Sequence, residues 1–294
     1  MRLHRFPVVA LLAAVPLALT GCSQSASSAA LTPDPSAHAY LDTESGEIIL
    51  PLTEYDFYGP ASTLALANHA TDIAFAKCMN EKGFAYSAAS VEDDTASRFG
   101  DRSYGIWNES RARLYGYGAA PSAINAAFEA DRAAGGDAWE AAYEECTMQP
   151  DPEIASFTPD NAELTESLVP QIQTLAYNAA SADPAWQQAR EAWWQCLREE
   201  GLEPRTGSGE WSSVEANELA SRMGGTLADK AEEIRIATIE ARCNTATGLT
   251  QTLGDLEASY QAPLIAASQD ALDELKAKNQ DRLAAIHAYI ARNS

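Results

Sequence analysis

The feature that most restricts this chain is a short motif used twice. One copy runs Cys78-Met79-Asn80-Glu81-Lys82-Gly83-Phe84 and the other Cys196-Leu197-Arg198-Glu199-Glu200-Gly201-Leu202. Each is a cysteine and an apolar residue, three polar residues, then a glycine and a second apolar residue. Each closes an Ala-rich or Trp-rich stretch, Thr63 to Lys82 and Ala185 to Glu200. The glycine therefore reads as the left-handed residue that ends a helix, with the cysteine in the helix's last turns. Cys146 and Cys243 follow further along. Trp139, Ala142 and Tyr143 stand seven, four and three residues before the first, and Ile236 and Ile239 seven and four before the second. Those offsets share the cysteine's own helical face. The repeating unit is a helix, a long loop and a returning helix, with one cysteine on each inner face.

Four cysteines allow three pairings. The unit reading favours Cys78 with Cys146 and Cys196 with Cys243, each bridge closing its own unit. Zinc is the rival, but no two of these cysteines lie within four residues of each other and no histidine stands near any of them, so the spacing of a zinc site is missing. Neither a metal nor a cofactor is expected.

The N-terminus points to an oxidising compartment. A basic start (Arg2, Arg5), an apolar run from Val8 to Leu19 and a small-residue exit are the parts of a secretory signal. The run falls short of the roughly 20 apolar residues a spanning helix needs, and Pro7 and Pro16 interrupt it. The exit, Leu19-Thr20-Gly21-Cys22, resembles the lipobox of bacterial lipoproteins, which implies a diacylglyceryl group on Cys22 and a mature chain that begins there. Two acyl chains make a stable anchor. The stretch behind it, Ser23 to Ala37, is small, polar and broken by Pro33 and Pro35, the composition of a flexible tether. The organisation expected is a signal peptide over 1–21, a lipid-anchored tether over 22–40, a first helical unit over 41–158, a second over 159–247 and a long C-terminal helix over 248–294.

Removing residues 1–21, which hold two arginines and no acid, leaves 18 basic and 42 acidic side chains. Such a surface repels phosphate backbones, so nucleic acid is excluded as a partner. Cations, basic peptides, neutral sugars and other proteins are left.

Helix starts fit the same scheme. Asp160 with Glu163 and Ser212 with Glu215 are spaced as capping boxes, and Asp183-Pro184 sets an N-cap before a proline at the first helical position. The segment from Asp160 to Ala182 should link the units as one helix, while Glu47 to Leu52 is a short extended piece. From Leu249 to Ile290 apolar residues recur every three or four positions, a plain helical period. A helix of about 40 residues would run about 60 Å. A bend is expected near Pro263, and the helix should brace both units rather than project.

No enzyme signature is present. Gly-x-Ser-x-Gly is absent, no serine stands three residues before a lysine, and there is no His-Glu-x-x-His helix, phosphate loop or calcium loop. His38, His69 and His287 read as tether, surface or packing residues, and the many acidic side chains as solvated faces. The stretch that invites function is the first unit's loop, where Phe84, Tyr86, Phe99, Tyr104, Trp107, Tyr115 and Tyr117 fall within 34 residues. Such rings either anchor a contact, with Tyr104, Trp107, Tyr115 and Tyr117 as the candidate binding surface, or fold the loop over the helix pair as core.

Several of these pieces together resemble a family of actinobacterial exported proteins, often lipoproteins. They are Leu50-Pro51-Leu52, the two cysteine motifs, Tyr104-Gly105-Ile106, Tyr115-Gly116-Tyr117 and the Cys243 helix running into Ala258-Ser259-Tyr260-Gln261. The resemblance implies company with cell-envelope export systems and carries no catalytic residue. The expectation is an all-α lipoprotein at the outer face of the cell membrane, with two disulfide-stapled units. It would act by binding an envelope protein or export system, with an envelope enzyme such as a cell-wall hydrolase as the alternative.

Overall fold

The computed structural model describes residues 31–91, 97–222 and 227–294. A two-residue hairpin, β1 (Tyr40–Leu41) and β2 (Ile48–Ile49), leads through a 3-10 turn (Pro51–Tyr55) into α1 (Ala61–Glu81). A second 3-10 turn (Ser87–Ser90) and α2 (Glu109–Tyr115) lie in the first unit's loop, and α3 (Ala123–Met148) returns. The connection is made by α4 (Pro152–Phe157), α5 (Asn161–Glu166) and α6 (Leu168–Ala182). The second unit is α7 (Pro184–Glu199), α8 (Val214–Ala220) and α9 (Leu227–Thr247), followed by α10 (Leu249–Ala267) and α11 (Gln269–Asn293). The fold is all-α.

Both cysteine motifs end their helices in the same way. Gly83 (φ 85°) and Gly201 (φ 81°) are left-handed. Phe84 N–H donates to the Met79 carbonyl at 2.9 Å and Gly83 N–H to that of Asn80 at 3.0 Å. Leu202 N–H donates to Leu197 at 2.9 Å and Gly201 N–H to Arg198 at 3.1 Å. These bonds occupy helix-end carbonyls that would otherwise lack partners, and the apolar pairs Met79 with Phe84 and Leu197 with Leu202 join the core on either side of the turn. The bridges are Cys78–Cys146 and Cys196–Cys243, with Cα atoms 6.0 Å and 5.6 Å apart.

The two stapled units do not keep separate cores. Tyr104 and Trp107, from the loop of the first, lie in one apolar cluster with Trp186, Trp193, Leu197 and Cys243 of the second and Leu249 and Leu253 of α10. Residues 31–294 accordingly form one compact unit. The C-terminal helices brace this body. α10 packs on α6, α7 and α9, while α11 packs on α1, α4 and the first 3-10 turn.

Four local expectations need correction. The tether is expected to reach residue 40, yet residues from 34 on are laid against α10. Asp34 N–H donates to the Ser259 carbonyl at 2.8 Å, Ala39 N–H donates to Asp255 Oδ1 at 2.9 Å, and Ala39 is buried against Gly254. Only a glycine admits that approach, since a Cβ at 254 would stand 2.7 Å from the Ala39 methyl. The same segment meets α10 at Pro263, which lies inside the helix. Proline lacks the N–H that would bond to residue 259, and Asp34 supplies the donor instead. The interruption falls at Ser268, so the C-terminal stretch is two helices. The linking helix is also two pieces, divided at extended Ser167 (ψ 171°). That division puts Pro170 in the first turn of α6, where its missing donor costs nothing. Finally, the cap of α8 is Ser213, which accepts from Ala216 N–H at 3.2 Å, rather than Ser212. Asp160 and Asp183 cap as expected.

Candidate functional site

Of the two readings left open for the aromatic loop, binding surface or core, burial favours core for Tyr104 and Trp107. Tyr104 is 1% exposed and Trp107 7%. The Tyr104 hydroxyl donates to Glu257 Oε2 at 2.5 Å, Asn244 Nδ2 donates to the Tyr104 carbonyl at 3.0 Å, and Trp107 Nε1 donates to the Asp101 carbonyl at 3.0 Å. Tyr117 is half-buried against the same cluster. Tyr115, also half-buried, ends α2, where its carbonyl accepts from Lys230 Nζ at 2.8 Å. Tyr104, Trp107 and Tyr117 are spent on welding the units together, so the loop's candidate binding residues are core and seam residues.

Two carboxylates that composition assigns to solvated faces are buried in that seam. Glu257 accepts from Tyr104 and from Gln261 Nε2, the latter at 3.3 Å, and Gln261 Oε1 in turn accepts from Leu52 N–H at 3.0 Å. Glu240 is fully buried. Its Oε1 accepts from Ser213 N–H at 2.6 Å, while among the described residues Oε2 and the neighbouring Tyr117 hydroxyl each lack a partner in hydrogen-bond geometry. Burial pushes both acids above the ordinary carboxylate range. A raised acid stabilises the fold while it holds its proton, and that contribution is lost as pH rises through its folded-state value. Glu240→Gln keeps an acceptor for Ser213 and gives Tyr117 a donor. The variant should be more stable than the parent by about 1 to 3 kcal/mol at pH 8, with the gap shrinking toward pH 5. Thermal melts across that range check this, and a gap that widens toward acid would contradict it.

The open site lies elsewhere, along α1. Five of its residues, Thr63, Ala67, Ala70, Ile73 and Met79, are buried, and the helix packs against α11 and α4 on one side and against α3 and the second 3-10 turn on the other. Among the described residues, apolar side chains remain beyond what those neighbours cover, and they wall a groove of about 1550 Å³. Its lining extends from Ser62 to Glu81, roughly 28 Å at 1.5 Å per residue. Leu64, 44% exposed, and Leu66 line one end, and Phe75, Tyr86 and Tyr143 line the middle. The Phe75 ring stacks on Tyr143 at 5.3 Å and on Tyr86 at 5.8 Å. Trp139, which donates from Nε1 to the Ala85 carbonyl at 2.9 Å, backs the set by stacking on Tyr143 at 5.2 Å.

Polar groups converge on those rings. Asp72 Oδ1 accepts from the Tyr86 hydroxyl at 3.0 Å, and His69 stands one turn earlier on α1. Partial burial raises the Asp72 carboxyl above its usual range, opposed by the Tyr86 bond and by His69. The same burial and the adjacent Asp72 charge raise the Tyr86 phenol. A second cavity, about 220 Å³, lies between the first 3-10 turn and α5, α6 and α11. There Glu163 is held down to about 2 by the Arg282 guanidinium and Lys278, and Asn279 Nδ2 donates to the Tyr55 carbonyl at 3.0 Å. Among the described residues no group of three His, Cys, Asp or Glu could hold a metal, and no helix is long and apolar enough to cross a membrane.

Of the residues that wall the groove, sequence reasoning singled out Tyr86 and Tyr143 for other reasons, and it read His69 as a surface or packing residue. The signal that was available is the composition of α1, whose apolar residues stand on more of its circumference than one packing face requires. Comparisons with known protein families, with curated proteins and with solved structures find no match to this chain.

Proposed function

We propose that this chain is an exported lipoprotein, anchored through lipid on Cys22 at the outer face of the cell membrane, and that it acts by binding a partner in the groove along α1. The observation that carries the binding half is the groove itself: a long, partly apolar channel with an aromatic middle and a convergent Asp72, Tyr86 and His69. Ligand sites have this make-up, and apolar area left open on a folded surface marks interaction sites. At about 1550 Å³ it exceeds the roughly 300 to 1,000 Å³ of small-molecule pockets, which favours a macromolecular partner such as an envelope protein or a component of an export system. Two disulfides support the export half, because such bridges persist in oxidising compartments. The lipobox-like run before Cys22 supports the anchor.

Each half has its own test. Cys22→Ala should abolish incorporation of labelled fatty acid and release the protein from the membrane fraction; a variant that still takes up label would remove the anchor from the account. Leu64→Glu places a charge in the groove at an exposed position, so it should change stability by less than about 0.5 kcal/mol. It should also strip away what co-purifies with the protein from its own membranes. Leu175→Glu, at an exposed position outside the groove lining, should leave that association intact. Equal behaviour of the two variants would contradict the groove as the seat of binding.

A further inference from the structure

We infer that the occupant of the α1 groove is a basic, partly apolar peptide segment that sets a lysine or arginine side chain on Asp72; the inference rests on the groove being the binding site. Asp72 is a half-buried carboxylate in the wall of an otherwise largely apolar channel. Its contacts are the Tyr86 hydroxyl at 3.0 Å and the nearby His69. Lys77, the exposed lysine of the same lining, stands five residues along, about 140° around the helix from Asp72 at 100° per residue. Arg98 and Glu81 are the other charged side chains of the lining. The Tyr86 bond orients the carboxylate and leaves its second oxygen available. Phe75, Tyr86 and Tyr143 stack on one another in the same lining, Tyr86 through its hydroxyl in contact with the carboxylate. A carboxylate flanked by aromatic rings is the arrangement that receives an ammonium or guanidinium, through a charge-assisted hydrogen bond and cation–π attraction. Only the cation–π half of such an arrangement recurs inside the protein, where Arg190 lies between Trp194 and Trp211 at 4.7 Å and 4.9 Å and donates to backbone carbonyls.

Two further observations fix the class of partner. The chain carries 42 acidic against 20 basic side chains, and a field of that sign draws basic partners and repels acidic ones. The groove's length matches about eight residues of extended peptide, and Leu64 and Leu66 receive apolar side chains at one end of it.

The test uses fluorescence anisotropy with the purified protein and two labelled peptides of about eight residues, one alternating leucine with lysine and the other leucine with glutamine. Salt is kept at about 0.15 M so that long-range attraction is screened. Asp72→Asn should weaken the lysine peptide about tenfold, the scale of a hydrogen bond to a charged group, and leave the glutamine peptide unchanged. Glu274→Gln removes the same charge from an exposed site on α11 outside the groove lining and should leave both peptides unchanged. If Asp72→Asn and Glu274→Gln act alike while Leu64→Glu still abolishes binding, the cation assignment is overturned and the groove reading stands. If neither peptide binds, or if Leu64→Glu has no effect, the groove reading fails and the inference fails with it.

Discussion

Replacing Cys196 and Cys243 together by alanine should cost about 4 kcal/mol of stability, the entropy of closing a loop of this size in the unfolded chain. The bridge spans 47 residues and joins the end of α7 to the last turns of α9. Cys243 is fully buried beside Ile236, Ile239, Leu197 and Trp193, in the cluster that also receives the first unit's loop. Loss of the bridge therefore loosens the place where the two units meet. Denaturant melts of the parent and the double variant measure the difference, and a loss below about 1 kcal/mol would mean that packing alone holds α7 to α9. The Cys78–Cys146 bridge closes the longer span of 68 residues, and its removal should cost about as much, because the closure cost grows only with the logarithm of loop length.

Trp107→Ala should cost about 3 to 5 kcal/mol, the range for truncating a large buried aromatic side chain. The indole is almost wholly buried, packs in the shared cluster and donates to the Asp101 carbonyl, while its own backbone carbonyl accepts from Thr245 Oγ1 at 3.1 Å. Truncation would leave a cavity between the first unit's loop and α9. Co-purification with the partner proposed for the groove, scaled to the amount of folded protein, should be unchanged. A small loss of stability together with loss of the partner would return Trp107 to the role of binding residue and remove it from the core.

What the sequence made legible was whatever is decided within one turn of chain. The left-handed Gly83 and Gly201, the caps at Asp160 and Asp183, and the cysteine faces of α3 and α9 each depend on residues a few positions apart, and the structure holds them as expected. The exceptions have both long-range and local causes. The carbonyl that Pro263 leaves free inside α10 is bonded by Asp34, far away in sequence. The division at Ser167 follows from Pro170, a proline whose effect could have been anticipated. The aromatic loop could not be assigned, because periodicity reports which face of a segment is apolar and is silent about which distant segment covers it. Buried Glu240 and Glu257 were hidden among dozens of solvated acids, since an acidic composition gives no sign of which two accept tyrosine hydroxyls or cap a helix start. The groove is the hardest feature to read in advance, because it consists of what the neighbours of α1 leave uncovered.

The central claim, that α1 presents the binding face, is tested most directly by placing a photo-crosslinking residue at position 64 in the intact cell. Leu64 lines the groove and is 44% exposed, and Leu175, 56% exposed on α6, serves as the comparison. Irradiation should give a discrete cross-linked product from position 64 and none from position 175, and Asp72→Asn in the same chain should reduce its yield. Products of equal yield from both positions, or none from position 64, would contradict the account.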